Sequence, residues 1–535
     1  MRVENILKAV TGRVLLAGAA GLLMSASALA APPKDLDAYV NRALGTFGAP
    51  GMAVAIVEDG KPALARGYGV RKLGQPGAVD AHTIFPIGSN TKLFTATALA
   101  MLVDDGKLAW TDKVAPRLRG FQMYDPFTTG EMTVTDLLTH RSGLGLGEGD
   151  LMMFPETDFT RREIVEHLRY LKPVRGFRSG YDYDNVLYIA AGELVQDVSG
   201  MRWEDVIHTR IFKPLGMTDA AADFAEIAPD ANRGWPHART SGLLRGLGPI
   251  APMDHVYQID AAAAAGSINA SATDMTKWLT VQLNHGVSAQ GQRLFSEQQS
   301  AALWTAQTLM PTAGEPAAGP LGAVQPQFSA YALGLMVRDY KGHRIITHAG
   351  GVFGGISEVV LIPDRHVAFA IMTNSEESGA LLSVYLRLLD HYLGEPTADY
   401  PALMKAAQVK RTTEAEALVR AQTADSGTKA PPSGPLSGFA GVYRDAWYGT
   451  ITVKDTGQGL RISFDRSKNM EGPLEPVRFD TFRTRFTDRT IEDAYVTFTR
   501  APDGTVDHVK MQKVSPLADF SFDFQDLDFR LEKSR

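Results

Sequence analysis

The sequence predicts an α/β domain built on an antiparallel sheet with helices packed against it, followed by a separate all-β domain. Three observations carry this. Strand-like runs near residues 51–70 and 332–374 bracket a stretch of helical periodicity, which places both ends of one domain in a shared sheet. A Pro/Gly/Ser-rich stretch, "TADSGTKAPPSGPLSG", then interrupts the chain. Beyond it come about a hundred residues of short strands spaced by turns, with no helical pattern, as in a small barrel or sandwich.

Taken in order, the first thirty residues stand apart. "MRVENILKAVTGR" carries Arg2, Lys8 and Arg13, "VLLAGAAGLLMSASALA" is an apolar run, and Ala28-Leu29-Ala30 supplies small residues for cleavage. This pattern predicts a secretory signal over 1–30, and the apolar run is shorter than the ~20 residues a spanning helix needs. No later segment is long and apolar enough to span, so no membrane span is expected after signal removal. The expected localisation is periplasmic or secreted. The chain has no cysteine, so disulfides, thiol nucleophiles and zinc–thiolate sites are excluded.

The first structural element after the signal is a hairpin near 51–70, turned at Asp59-Gly60. Helical periodicity follows near 89–105, 160–171, 185–199, 202–212 and 271–285. Four strand-like runs then return, "ALGLMVRDY", "RIITHAG", "ISEVVLIP" and "VAFAIMTN", and "SGALLSVYLRLLDHYLG" closes the region as a helix. The Pro- and Gly-rich stretch at 304–328 breaks the pattern as a lid or a disordered loop would. The expected division is 1–30 signal, 31–400 α/β domain, 401–435 linker and 436–535 all-β domain.

Composition is that of a globular protein, with 44% hydrophobic and 21% charged residues. A net charge of -6 without a long Lys/Arg run argues against a nucleic-acid partner. The twelve histidines are scattered without metal-ligand spacing, and no phosphate loop, dinucleotide fingerprint, His-Glu-x-x-His or Gly-x-Ser-x-Gly elbow is present. Neither a cofactor nor a metal is expected.

Chemistry enters at "FPIGSNTKLFTATALAMLVDDGK". Gly88 lets the backbone turn sharply before a helix, Ser89 then lies where free amides favour developing negative charge, and Lys92 projects beside it one turn later. A lysine in apolar surroundings there would have its charged form disfavoured and could take the serine proton. The same spacing recurs at Ser426-Gly427-Thr428-Lys429 in the linker, so alone it reads as a capping serine with a solvated lysine rather than as a catalytic pair. Only the first copy opens an apolar helix. In "SGYDYDNVLYIAAGELVQDVSG", Tyr183 and Asn185 flank Asp184 before a helix. In "RIITHAGGVFGG" a strand-like run ends at His348-Ala349-Gly350, small residues that let a substrate backbone lie close.

Ser-x-x-Lys, Tyr-x-Asn and His-x-Gly, in this order, resemble the penicillin-recognising serine hydrolases: class C β-lactamases, DD-peptidases and related esterases. "LLTHRSGL", "IFKPLGMTD" and "AAGSINASATDMTKWL" extend the resemblance over about residues 35 to 395. It implies a serine β-lactamase fold and an acyl-enzyme mechanism. Ser89 would be the nucleophile, Lys92 and Tyr183 would share the proton traffic, and the amides of Ser89 and Gly351 would hold the oxyanion. Asn185, Gly350 and Gly351 would contact the substrate, and His348 would donate toward Tyr183 or a substrate carboxylate. "YRDAWYGTITV" and "VSPLADFSFDFQDL" resemble the lipocalin-like barrel appended to some of these hydrolases.

Two residues depart from the pattern: His348 stands where a lysine is usual, and Asp184 where a serine is. Both point away from an efficient β-lactamase. The expected activity is exported hydrolysis of small peptides or amides, with D-residue, linearised-microcystin-type or cell-wall peptides as candidates. A carboxylesterase, a β-lactamase or a non-turnover penicillin-binding sensor remain alternatives, and the oligomeric state is left open.

Overall fold

The computed structural model describes residues 31–312, 319–424 and 430–532. The expected signal over 1–30 and the second Ser-x-x-Lys copy at 426–429 lie outside these residues. Among the described residues no helix is long and apolar enough to cross a membrane.

Eight antiparallel strands form the central sheet: β1 (Gly51–Glu58), β2 (Lys61–Gly69), β3 (Thr308–Leu309), β4 (Ser329–Tyr331), β5 (Met336–Tyr340), β6 (His343–Val352), β7 (Gly355–Ile362) and β8 (Val367–Thr373). Their spatial order is β2-β1-β8-β7-β6-β5-β4-β3, so the first and last parts of the domain meet where β1 pairs with β8. The hairpin turns at Asp59 and Gly60, both with positive φ, as an Asp-Gly turn requires. The interrupted stretch at 304–328 contributes β3, which pairs with β4 at the sheet edge.

The sheet is covered on both faces, which is why β1 is buried along nearly its whole length rather than alternating. Met52, Val54 and Ile56 face one way, into a core shared with helices α1 (Leu36–Phe47) and α5 (Ser378–Leu393). Ala53, Ala55 and Val57 face the other way, into a core shared with α2 (Thr91–Asp104), α3 (Val186–Ser199) and α4 (Ala272–Leu283). Helix α2 is apolar all round because it lies inside that core: Thr91 to Leu102 are all buried, and Phe94 stacks on Trp278 with ring centroids 3.8 Å apart.

The stretch 401–435, read from sequence as a linker, begins instead as helix α6 (Tyr400–Ala424). Its Ala- and charge-rich composition is compatible with helix as well as coil, and packing decides between them. Ala415 and Val419 of α6 are buried with Leu244 and Val514, so the helix bridges the α/β body and the C-terminal region.

That region is a closed barrel of eight antiparallel strands in sequence order, from Gly441–Asp445 to Phe529–Leu531, closed by Tyr443 opposite Leu531. Its interior is packed with rings: Phe439, Phe482 and Phe498 lie with centroids 5.1–5.6 Å apart. The barrel sits directly on the α/β body. Phe522 meets Phe154 at 5.4 Å, Phe154 stacks on Phe353 at 4.2 Å, and Tyr257 bonds both Asp488 and Thr490 of the barrel.

Candidate active site

The strand Phe85–Pro86 pairs with Asn269–Ala270, and the chain then turns through a single 3₁₀ turn, Gly88–Asn90, into α2. Gly88 has φ +52, and a Cβ there would lie 2.6 Å from the Gly351 nitrogen. Gly350 is tighter still, since a Cβ would come 1.9 Å from the Ile87 carbonyl oxygen. These two glycines bring strand β6 against the turn that carries Ser89. Asn90 donates to Ser357 at 2.8 Å and Ser357 donates to the Ile87 carbonyl at 2.7 Å, which ties the turn to β7.

Lys92 lies on the first turn of α2 and is completely buried. Its Nζ stands 3.0 Å from Ser89 Oγ, 2.7 Å from Asn185 Oδ1 and 3.0 Å from the Ala265 carbonyl oxygen. Burial brings its pKa down to about 7, against the opposing pull of Asp150 and Asp184. Two of its three neighbours can only accept. A neutral amine has two hydrogens and one lone pair, so with Asn185 and Ala265 taking the hydrogens the lone pair faces Ser89.

Tyr183 reaches the same serine: its hydroxyl lies near Ser89, and its ring lies 4.8 Å from Lys92 Nζ. Burial raises the phenol well above its ordinary pKa, so it is held as a neutral hydroxyl. Behind its ring lies His140, tilted by 33° with centroids 4.2 Å apart. The Asp184 carboxylate accepts from Ser142 at 2.8 Å and lies 3.3 Å from His140, facing the core rather than the cleft.

His348 is placed differently from the expectation. Its Nδ1 donates to the Ala349 carbonyl at 2.6 Å, which leaves Nε2 to accept from the Tyr331 hydroxyl at 2.9 Å. Its ring centroid is 6.2 Å from that of Tyr183. Burial brings its pKa down to about 3, with Lys92 adding repulsion, so the imidazole is neutral. Asn185 is also more engaged than expected, because its Nδ2 donates to Asp150 at 2.8 Å while its Oδ1 accepts from Lys92.

The structure thus brings Ser89, Lys92, Tyr183, Asn185, Gly350 and Gly351 together, while His348 is hydrogen-bonded to Tyr331 with its ring 6.2 Å from that of Tyr183. Sequence reasoning missed Asp150, Tyr331 and His140. His140 was visible inside "LLTHRSGL", whereas Asp150 and Tyr331 lie in runs without a motif. Among the described residues no three His, Asp or Glu side chains are grouped to hold a metal ion.

A family model described as Beta-lactamase matches residues 36–447. The chain belongs to the beta-lactamase family. It is therefore a serine hydrolase of that family, with the penicillin-binding-protein type of fold. A second model, a domain of unknown function (DUF3471), matches residues 425–531, the barrel region. A relative called unguisins hydrolase, from Aspergillus violaceofuscus, is 28% identical over 449 residues, covering 78% of this chain and 76% of its own. Among solved structures, the octameric penicillin-binding protein homologue from Pyrococcus abyssi has TM-score 0.55 at 20% identity, covering 93% of this chain and 99% of its own. The D-amino acid amidase from Ochrobactrum anthropi SV3 has TM-score 0.54 at 23% identity, covering 67% and 98%. At these identities both structures speak for the fold of this serine hydrolase alone.

Proposed function

We propose that the protein is an exported amidase or peptidase that works through an acyl-enzyme on Ser89. The observation that carries this is the Lys92 Nζ held 3.0 Å from Ser89 Oγ with its other two neighbours both acceptors. Lys92 is the general base: with its pKa near 7 a large fraction is neutral at neutral pH, whereas Tyr183 is held protonated. As Ser89 Oγ attacks the carbonyl carbon, its proton passes to Lys92 Nζ and the carbonyl π electrons move to oxygen. The amides of Ser89 and Gly351 hold that oxyanion. Tyr183 then gives its proton to the leaving nitrogen and is reprotonated from Lys92, leaving the Ser89 ester, which water cleaves.

The second hydrogen on Asn185 Nδ2 is assigned to the substrate's amide carbonyl. His348 carries no charge, so the site favours substrates that are neutral at that position, small peptides and amides, over β-lactams recognised by their carboxylate. The relative named as an unguisins hydrolase is in keeping with a hydrolase of this class. The 1–30 pattern supports export to the periplasm or beyond.

The test is fluorophosphonate labelling of wild type and Ser89→Ala, followed by a screen against D-amino-acid peptides, short acyl esters and a chromogenic cephalosporin. Labelling at Ser89 with turnover of peptides is expected. Equal labelling of both proteins overturns the assignment, while labelling without turnover of any substrate makes the protein an acylated sensor instead.

A further inference from the structure

The barrel reaches into the site. Its segment Val514–Leu527 returns across the α/β body, and Asp523, completely buried, accepts from the Gly149 amide at 2.7 Å and from the Leu151 amide at 3.1 Å. One carboxylate thereby clamps the backbone on both sides of Asp150. Asp150 is itself completely buried, with the Ser521 side chain nearby and Asn185 Nδ2 donating to it at 2.8 Å. Phe520, on the same segment, sets its ring against Tyr183 at 5.6 Å and leaves no room for a side chain at Gly147.

The direction of the Asn185 amide follows from this. A side-chain amide can sit either way round, and its neighbours decide which. An ionised carboxylate can only accept, so Asp150 draws the Nδ2 end and turns Oδ1 toward Lys92 Nζ, 2.7 Å away. Burial raises the Asp150 carboxyl to about 7, so above that pH the ionised form, which only accepts, sets the amide's direction. Turned the other way, Asn185 would present hydrogens to Lys92 and compete for the lone pair that faces Ser89.

We propose that Asp150 and the barrel's Asp523 are positioning residues for the hydrolase reaction. Asp523 places Asp150 through the Gly149 and Leu151 amides, Asp150 fixes the Asn185 amide, and Asn185 thereby aims Lys92 at Ser89. The barrel is on this reading a structural part of the active site rather than an appended binding module. Its ring-filled interior is in keeping with that. The inference rests on the roles given to Ser89 and Lys92 under Proposed function.

Fluorophosphonate labelling of the full-length chain tests it, with the maximal labelling rate and the half-saturating concentration measured separately for wild type, Asp523→Asn and Asp150→Asn. In either variant the new amide can donate where the carboxylate accepted. At position 150 that lets Asn185 reverse. At position 523 it sets a donor against a backbone N–H. The maximal rate should fall on the order of 10- to 100-fold, as for a reacting group displaced by a fraction of an ångström, while half-saturation stays within about twofold. Ser521→Ala, which leaves both carboxylates in place, should label within about threefold of wild type.

Thermal melts separate a folding defect from a positioning one. If Asp523→Asn fails to fold, Asp150→Asn decides, since it alters no contact with the backbone clamp. Folded variants that label at the wild-type maximal rate overturn the inference and leave the proposed function standing. A wild type that is not labelled at Ser89 overturns both.

Discussion

Replacing Lys92 by methionine tests whether a neutral amine faces Ser89. Lys92 is fully buried, and desolvation is the main cause of its fall from 10.5 to about 7. The sign of the linkage follows from that direction. Between about pH 7 and 10.5 the unfolded chain keeps a proton on this amine that the folded chain has released, so folding becomes more favourable as pH rises through that window. One proton corresponds to a slope of about 1.4 kcal/mol per pH unit. Below the folded pKa the whole penalty is present, roughly 5 kcal/mol for a fall of this size, and it is gone above the unfolded pKa.

The methionine side chain has nothing to titrate, so the Lys92→Met variant loses the slope. It also leaves the Asn185 and Ala265 oxygens without a donor, at about 1–3 kcal/mol each, which offsets much of the gain at low pH. The slope is therefore cleaner than the absolute difference. A chain of this length has an unfolding entropy of about 1 kcal/mol/K, so wild type should gain roughly 3 °C in Tm over the variant between about pH 7 and 9.5. Scanning calorimetry in matched buffers measures it, and the same variant should acylate about 10²- to 10⁴-fold more slowly. A Tm difference that stays constant across the window would mean that Lys92 is an ordinary cation in the folded protein, and the general-base argument would fail.

Three other outcomes are expected. Tyr183→Phe and Lys92→Met should each remove most activity, and the double variant little more, because groups that pass one proton act as a unit; additive losses in kcat/KM would separate their roles. Gly350→Ala should abolish labelling of Ser89 in a protein that still folds or should prevent folding, since its Cβ would collide with the Ile87 carbonyl; a fully active variant refutes the close approach of β6 to the serine turn. His348→Lys should raise kcat/KM for a cephalosporin relative to a neutral ester. Wild type should show a ratio without inflection between about pH 5.5 and 8.5, because a histidine held near pKa 3 loses its charge only well below that range. An inflection in wild type near pH 6.5 would show that the imidazole titrates normally.

Most of the fold was legible because periodicity is a local property. The hairpin at Asp59-Gly60, the strands between Met336 and Thr373 and the helices beginning near Thr91, Val186 and Ala272 all follow from runs of residues that pattern one way only. The expected helix over 202–212 is α-helical for Trp203–Ile207 and then widens to a π turn over His208–Phe212, a difference in hydrogen bonding that side-chain pattern does not encode. The stretch 401–435 misled for a related reason: Ala-rich, charged sequence suits a solvated coil or a helix, and only neighbours such as Leu244 and Val514 make the helix worth forming.

By itself the sequence determined which groups could do chemistry: a serine and a lysine one turn apart, a Tyr-x-Asn pair, and glycines where a strand must pass close to a turn. These are short-range facts, set by spacing and by side-chain size. Tertiary structure alone decided their states and partners. It surrounded Lys92 with apolar core and so made its amine weakly basic, and it turned His348 toward Tyr331 rather than Tyr183. It also brought Asp523 to the backbone amide of Gly149, 374 positions earlier in the chain, beside Asp150. The physical reason is that proton affinity and hydrogen-bond direction depend on what is packed within a few ångströms, and packing joins residues whose separation along the chain leaves no local trace.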